Sequence, residues 1–68
     1  MQTISKINLG GRDYRVLVRH HKSYRSLKLA KDKPRETDAA LTDEQEFLDR
    51  PANISIRRNL LAGKTINL

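Results

Sequence analysis

The stretch of sequence that decides the fold is residues 3–19, which read TISKINLGGRDYRVLVR. Two runs that alternate between polar and apolar residues flank the pair Gly10-Gly11, and the second run has a Val-Leu-Val centre at residues 16–18. Alternation with a period of two and β-branched residues are typical of β-strands. Adjacent glycines readily adopt the positive φ angles of a two-residue hairpin turn. The sequence therefore predicts a β-hairpin over residues 3–19.

A third alternating run follows at residues 24–30, which read YRSLKLA and direct Leu27 and Leu29 to the core. We predict that this run adds a third strand and completes a β-meander. A helix is the alternative interpretation of residues 12–28, because basic residues recur there every three or four positions and would share one helix face. The Val-Leu-Val run and the glycine pair favour strands.

The acidic part of the chain predicts a helix that follows a loop. Residues 31–37 are polar and contain a proline, which indicates a flexible loop. An acidic helix is expected over residues 38–50, because Thr42 and Gln45 have the spacing of a capping box and Pro51 follows directly after its end.

The C-terminal part is ambiguous between helix and strand. Ile54 and Ile56 alternate with polar residues as in a strand, whereas residues 52–62 followed by Gly63 would suit a helix with a glycine C-cap. We favour a strand, a turn and a closing strand at residues 64–68, which form a C-terminal hairpin.

These elements predict a single small α+β domain over residues 1–68, since 68 residues allow one domain at most. Its sheet is expected to be small and antiparallel, with the three-stranded β-meander, the short helix and the C-terminal hairpin; an SH3-like, partly closed barrel is one form of such a sheet. The predicted core is mostly aliphatic: Ile4, Ile7, Tyr14, Val16, Val18, Leu27, Leu29, Phe47, Leu48, Ile54, Ile56, Leu61 and Ile66.

Composition excludes several classes of protein. The chain has no Cys for a disulfide framework and no apolar run near the ~18 residues that a membrane-spanning helix needs. The first residues lack the apolar segment of a signal peptide, so we expect a cytoplasmic protein without a membrane partner.

The net charge of +6 conceals a separation of charge along the chain. Residues 12–35 contain nine Lys or Arg and two acids, and residues 36–49 contain six acids with no Lys or Arg. A one-sided basic segment is typical of surfaces that bind phosphates, whereas a merely solvated sheet face usually mixes both signs. The competing interpretation is a solvated sheet face whose lysines protect an edge strand. The candidate residues for binding nucleic acid or a partner are Arg12, Arg15, Arg19, Lys22, Tyr24, Arg25 and Lys28.

Two aromatic residues lie within this basic segment. Tyr14 and Tyr24 alternate with Arg15 and Arg25, and a tyrosine ring can stack on the base of a single strand. The acidic segment has two interpretations of its own. It forms either a surface helix that balances the basic sheet within the molecule or a second binding surface that consists of Asp43, Glu44 and Glu46.

No motif in the chain points to catalysis, to a metal or to another cofactor. His20 and His21 are neighbours in a predicted strand end, so their imidazoles point to opposite faces and a solvated pair is expected. Gly63-Lys64-Thr65 copies the end of a phosphate-binding loop, but the position that needs the first glycine is Arg58. We therefore expect a protein that is not an enzyme.

The charge pattern predicts a small regulatory binding protein in nucleic-acid metabolism or transcription, with DNA or RNA bound by a basic sheet face. The alternative is an inhibitor or adaptor, of the kind that viruses encode, which binds a large nucleic-acid enzyme such as RNA polymerase through protein contacts.

Overall fold

A computed structural model describes residues 2–31 and 39–68, which form a small α+β domain with a five-stranded mixed sheet and two helices. The α+β class is as the sequence predicts. In chain order the elements are β1 (Gln2–Leu9), β2 (Arg12–His20), β3 (Arg25–Leu29), β4 (Ala39–Ala40), α1 (Thr42–Asp49), a 3₁₀ turn (Pro51–Asn53), α2 (Ile54–Leu61) and β5 (Ile66–Asn67).

The strands lie in the order β4-β1-β2-β3-β5. Pairing is antiparallel between β1 and β2, between β2 and β3, and between β3 and β5, but β4 is parallel to β1. The prediction of a purely antiparallel sheet is therefore wrong. The sheet is also open, because β4 and β5 lie at opposite edges, so it does not form the partly closed barrel that the sequence suggested.

The predicted N-terminal hairpin is confirmed. Leu9 pairs with Arg12 across Gly10 and Gly11, whose φ angles of 64° and 87° are both positive as a type I′ turn requires. Residues 12–20 continue as one strand, so the helical alternative for residues 12–28 is wrong. Glycine permits this turn because it has no Cβ to clash at positive φ.

Both helices pack on one face of the sheet and bury its apolar side chains. Val16, Val18 and Leu27 are fully buried on this face together with Leu48 of α1 and Leu60 of α2. Leu9 and Leu60 belong to the buried core although the sequence prediction omitted them. Two predicted core residues are instead exposed on α2: Ile54, at 49 %, and Leu61, at 42 %.

The C-terminal hairpin is the largest error of the sequence prediction. Residues 54–61 form α2, and the closing strand β5 pairs with β3 rather than with a neighbouring C-terminal strand. Gly63, at a φ of 91°, ends the helix: its N–H donates to Leu60 O at 3.0 Å, and the Lys64 N–H donates to Asn59 O at 3.0 Å. This pair of bonds is a Schellman motif, the glycine C-cap of the alternative interpretation.

The acidic helix is shorter than predicted. It covers Thr42–Asp49, because Ala39 and Ala40 form β4 and pair with Ser5 and Lys6. Residue 38 and residues 32–37 of the predicted loop lie outside the described residues, and Lys31 has no regular structure. Pro51 ends α1 as expected, since Arg50 before it has an extended backbone, and it opens the 3₁₀ turn as its first residue.

The predicted capping box does not form. Thr42 is the first helical residue, Leu41 before it makes no side-chain cap, and Gln45 reaches across to β1 instead. Its Oε1 accepts from the Asn8 N–H at 2.7 Å and its Nε2 donates to Asn8 O at 2.6 Å. The Gln45 amide thus completes the outer edge of β1 beyond the short β4.

Side chains after α1 bind the carbonyl groups at its C-terminal end. Asn53 Nδ2 donates to Phe47 O at 2.7 Å, and Arg57 Nη1 donates to Leu48 O. These bonds satisfy carbonyl groups that the last turn of a helix leaves without partners, and they fix α2 against α1. None of the helices in the described part of the chain is long and apolar enough to cross a bilayer.

Candidate functional site

The sheet has a second face that the helices do not cover. Successive residues of a strand point to opposite faces, so Arg15, Leu17 and Arg19 lie on the side opposite to buried Val16 and Val18. The strand register extends this face to β1 and β3, because Lys6 pairs with Arg15 and Lys28 pairs with Leu17. We call this set the basic face; it consists of Lys6, Arg15, Arg19 and Lys28, all of them exposed.

The basic face is compact. Arg15 and Arg19 are four residues apart on β2, or about 13 Å at the rise of a β-strand. Lys6 and Lys28 lie on the strands on either side of β2, and those strands are about 10 Å apart. Four cationic side chains therefore share an area of about 13 by 10 Å.

Neutral side chains surround and orient the cations. The amide of Gln2 is oriented with its oxygen towards Arg19. In this orientation the oxygen accepts hydrogen bonds from Arg19 Nε at 3.0 Å and from Arg19 Nη2 at 2.6 Å. Because Gln2 is neutral, it holds the guanidinium in place without cancelling its charge. Ile4, which is buried, and its partner Leu17, which is half-buried, lie between the cations on this side of the sheet, and Ser26 lies between Arg19 and Lys28.

Among residues 2–31 and 39–68, Asp13 is the single acid on this face. It lies at the hairpin end, where its Oδ1 accepts from Asn8 Nδ2 at 3.0 Å, and Asn8 Oδ1 accepts in turn from the Gly11 N–H at 3.1 Å. The described carboxylates of α1 are on the helix-covered side. Among the described side chains, the basic face therefore carries four cations and one acid.

The structure brings three of the seven predicted binding residues together on the basic face: Arg15, Arg19 and Lys28. Arg12 lies next to the hairpin turn, and Lys22 and Tyr24 lie in the exposed connection from β2 to β3. Tyr24 stacks on His21 with ring centroids 4.7 Å apart and an angle of 12° between the ring planes.

Arg25 lies on the opposite side of the sheet from the basic face. Its partner in β2 is His20, which shares a face with Val18, and its guanidinium forms a salt bridge with Glu44 of α1. The Glu44 side chain is 5 % exposed, so it is part of the contact between sheet and helix rather than of an accessible acidic surface. Asp43 and Glu46, the other two members of the predicted acidic surface, are exposed on α1.

Lys6 is the member of the basic face that sequence reasoning missed. The hairpin itself carried the signal: with a two-residue turn at Gly10 and Gly11, Leu9 pairs with Arg12, and counting outward places Lys6 opposite Arg15. The other candidate, Tyr14, is on the core face and half-buried against the hydrophobic core, so it cannot stack on a base at the basic face.

Ligand clusters and clefts are the other features of the described part of the chain that bear on chemistry. No group of three or more His, Cys, Asp or Glu side chains there is arranged to hold a metal ion. An open cleft of about 360 Å³ lies between α1 and the C-terminal residues and is lined by Asp43, Glu44, Phe47, Asn67 and Leu68. Its one buried ionisable side chain, Glu44, is already paired with Arg25.

Comparisons of this chain with protein families, with curated proteins and with solved structures give no match. Function is therefore argued from the geometry and charge of the basic face.

Proposed function

We propose that the protein is a non-enzymatic regulatory protein of nucleic-acid metabolism or transcription, and that its basic face binds DNA or RNA. One observation supports this most strongly: four exposed Lys and Arg side chains from three adjacent strands share one face with a single described acid. Cationic side chains in this arrangement neutralise phosphates and release the counterions that surround nucleic acid.

The signs of the described charges are the reason that we favour a binding role over a solvated face. Lys6 and Arg15 are paired across β1 and β2, and Arg19 and Lys28 lie beside them on β2 and β3. A solvated sheet face usually mixes acids among the bases. A polyanion would contact all four cations through its phosphates.

Salt dependence provides the main test. If all four cations contact phosphates, log Kd should change with log salt with a slope of about 3.6 on duplex DNA, and affinity should fall about a hundredfold between 50 and 200 mM salt. The measurement is a fluorescence anisotropy titration of labelled DNA and RNA at several salt concentrations.

Paired charge reversals locate the contact surface. Lys6→Glu with Lys28→Glu places two acids on the basic face, and it should abolish binding at 100 mM salt. Arg50→Glu with Lys64→Glu makes the same change in net charge at exposed positions outside the basic face, and it should retain most of the affinity. Absence of binding at 50 mM salt, or an equal loss in both variants, would contradict the proposal. Arg25 is unsuitable for this test because its reversal breaks the salt bridge to Glu44.

A second candidate function, an adaptor or inhibitor that binds a nucleic-acid enzyme such as RNA polymerase, is favoured by a different observation. Ile54 and Leu61 are 49 % and 42 % exposed and lie seven residues apart on α2, with Arg58 between them. Residues separated by seven positions share one helix face. If a second copy of the chain docked antiparallel on α2, the Arg58 side chains of the two copies would face and repel each other. A surface of another protein that combines acidic and apolar side chains therefore fits better.

A further inference from the structure

We propose that the basic face recognises the phosphate backbone of double-stranded nucleic acid without reading its sequence. This inference rests on the proposed function and adds the class of ligand. It depends on where the structure places the aromatic side chains and on the width of the sheet.

No tyrosine or phenylalanine ring lies among the four cations of the basic face, and the stacked pair of His21 and Tyr24 lies beyond Arg19 in the β2–β3 connection. The chain has three aromatic residues other than histidine, and the structure describes all of them. Tyr14 packs against the core on the other face of the sheet, Phe47 packs against the same core from α1, and Tyr24 lies in the β2–β3 connection. Between the cations lie the aliphatic side chains of Ile4 and Leu17 and the small polar side chain of Ser26.

Proteins that bind single strands without sequence preference combine a basic groove with aromatic rings, and they gain much of their affinity from bases stacked on those rings. A face without rings loses that contribution and depends on phosphates. A duplex presents phosphates at a higher linear charge density than one of its strands, and each neutralised phosphate releases more counterion from it, with a slope of about 0.9 against about 0.7. The duplex is therefore the favoured ligand.

The width of the sheet prevents sequence reading. The major groove of B-DNA is about 12 Å wide and admits a helix or a two-stranded ribbon. The cations of the basic face are spread over β1, β2 and β3, and β4 and β5 extend the sheet on either side. A sheet of this width rests on the phosphates at the groove edges instead of entering the groove, so its side chains do not reach the base edges.

The experiment compares ligands of equal length at one salt concentration. Labelled 20-base-pair duplexes of DNA and of RNA, and the corresponding single strands, are titrated with the full chain at 75 mM salt. We expect the duplex to bind at least fivefold more tightly than either strand, and duplexes of unrelated sequence to differ by less than about threefold. A single strand that binds as tightly as its duplex, or one duplex sequence preferred more than tenfold, would overturn the inference while leaving the proposed function intact. Absence of binding to every ligand would instead overturn the proposed function.

Tyr24 provides an independent control, because it is an exposed tyrosine in the β2–β3 connection, where it stacks on the exposed His21. If the ligand is held by its phosphates, Tyr24→Ala should change affinity for a single strand by less than about twofold. Stacking of one base would make that loss roughly five- to hundredfold and would identify a single-strand site at the β2–β3 connection.

Discussion

At the scale of single residues, Gln45 shows how one side chain can replace a piece of secondary structure. Asn8 pairs with Asp13 in the hairpin, and this is a non-hydrogen-bonded pair because the pairs on either side of it are the hydrogen-bonded ones. The backbone N–H and C=O of Asn8 therefore point away from β2. Its N–H and C=O would face solvent at the edge of the sheet beyond β4. The amide of Gln45 has an acceptor oxygen and two N–H donors. The oxygen and the Nε2 group both bind this backbone, and Nε2 also donates to Asp49 Oδ1 at 3.0 Å.

Replacing Gln45 should therefore weaken the contact between α1 and β1. Gln45→Ala removes the two hydrogen bonds to Asn8 and the exposed one to Asp49, and we expect the free energy of unfolding to fall by about 1–2 kcal/mol. The matched control is Glu46→Ala, an exposed neighbour on the same helix, which should change stability by less than about 0.5 kcal/mol. Urea unfolding measures both, and an equal effect of the two substitutions would show that the bonds to Asn8 contribute nothing.

At the scale of secondary structure, α2 is the element whose identity sequence periodicity does not decide. Ile54 and Ile56 alternate as in a strand, but Ile54 is exposed and Ile56 is partly buried against the core. The apolar residues of α2 are divided between a core side, which contains Leu60, and an exposed side, which contains Leu61. The adjacent leucines, Leu60 and Leu61, fit both the strand and the helix periodicity. The hydrogen bonds at Gly63 and the contact with α1 therefore determine that this segment is a helix.

The two leucines give a direct test of this orientation. Leu60 is 0 % exposed, and Leu60→Ala should destabilise the protein by about 2–5 kcal/mol because it leaves a cavity in the core. Leu61 is 42 % exposed, and Leu61→Ala should change stability by less than about 0.5 kcal/mol. Since 68 residues provide only about 3–10 kcal/mol in total, the first variant should be largely unfolded near 37 °C in a circular-dichroism melt. Equal melting temperatures of the two variants would contradict the assignment of Leu60 to the core and of Leu61 to the surface.

At the scale of the whole molecule, the two candidate surfaces are on different sides. Three of the four basic-face cations come from the basic segment of the sequence, and the structure places them on the face that α1 and α2 leave open. Ile54, Arg58 and Leu61 belong to the helix layer on the other side of the sheet. The Arg25–Glu44 salt bridge joins the sheet to the helix layer. One charge of the basic segment and one charge of the acidic segment therefore neutralise each other within the fold.

Because the surfaces are separate, their functions should be separable by substitution. Ile54→Ser with Leu61→Ser should leave nucleic-acid affinity within about twofold of the unsubstituted protein, since neither side chain is on the basic face. If α2 binds a protein, the same variant should lose a nuclease-resistant partner that Lys6→Glu with Lys28→Glu retains. Anisotropy titrations and pull-downs from nuclease-treated lysate measure the two effects. Loss of both activities in either variant, with an unchanged melting temperature, would show one shared surface.

Much of the basic face could be predicted because it depends on local rules. Alternation fixes which residues of β2 share a face, and the Gly10-Gly11 turn fixes the register that brings Lys6 opposite Arg15. Alternation also places Arg25 on the face of Leu27 and Leu29, but the partner of Arg25 could not be predicted by these rules. The charge of Arg25 looks like that of its neighbours in the sequence, but the position of α1 places Glu44 against it.

The sequence by itself determined the α+β class, the N-terminal hairpin and most of the basic face, because period-two alternation and a glycine turn act over a few residues. The tertiary structure alone decided that residues 54–61 are helical, that Ala39-Ala40 pair in parallel with β1, and that Glu44 binds Arg25. These features depend on contacts between segments far apart in the chain. Such contacts form only when the core is assembled, and they outweigh local preferences that are nearly balanced.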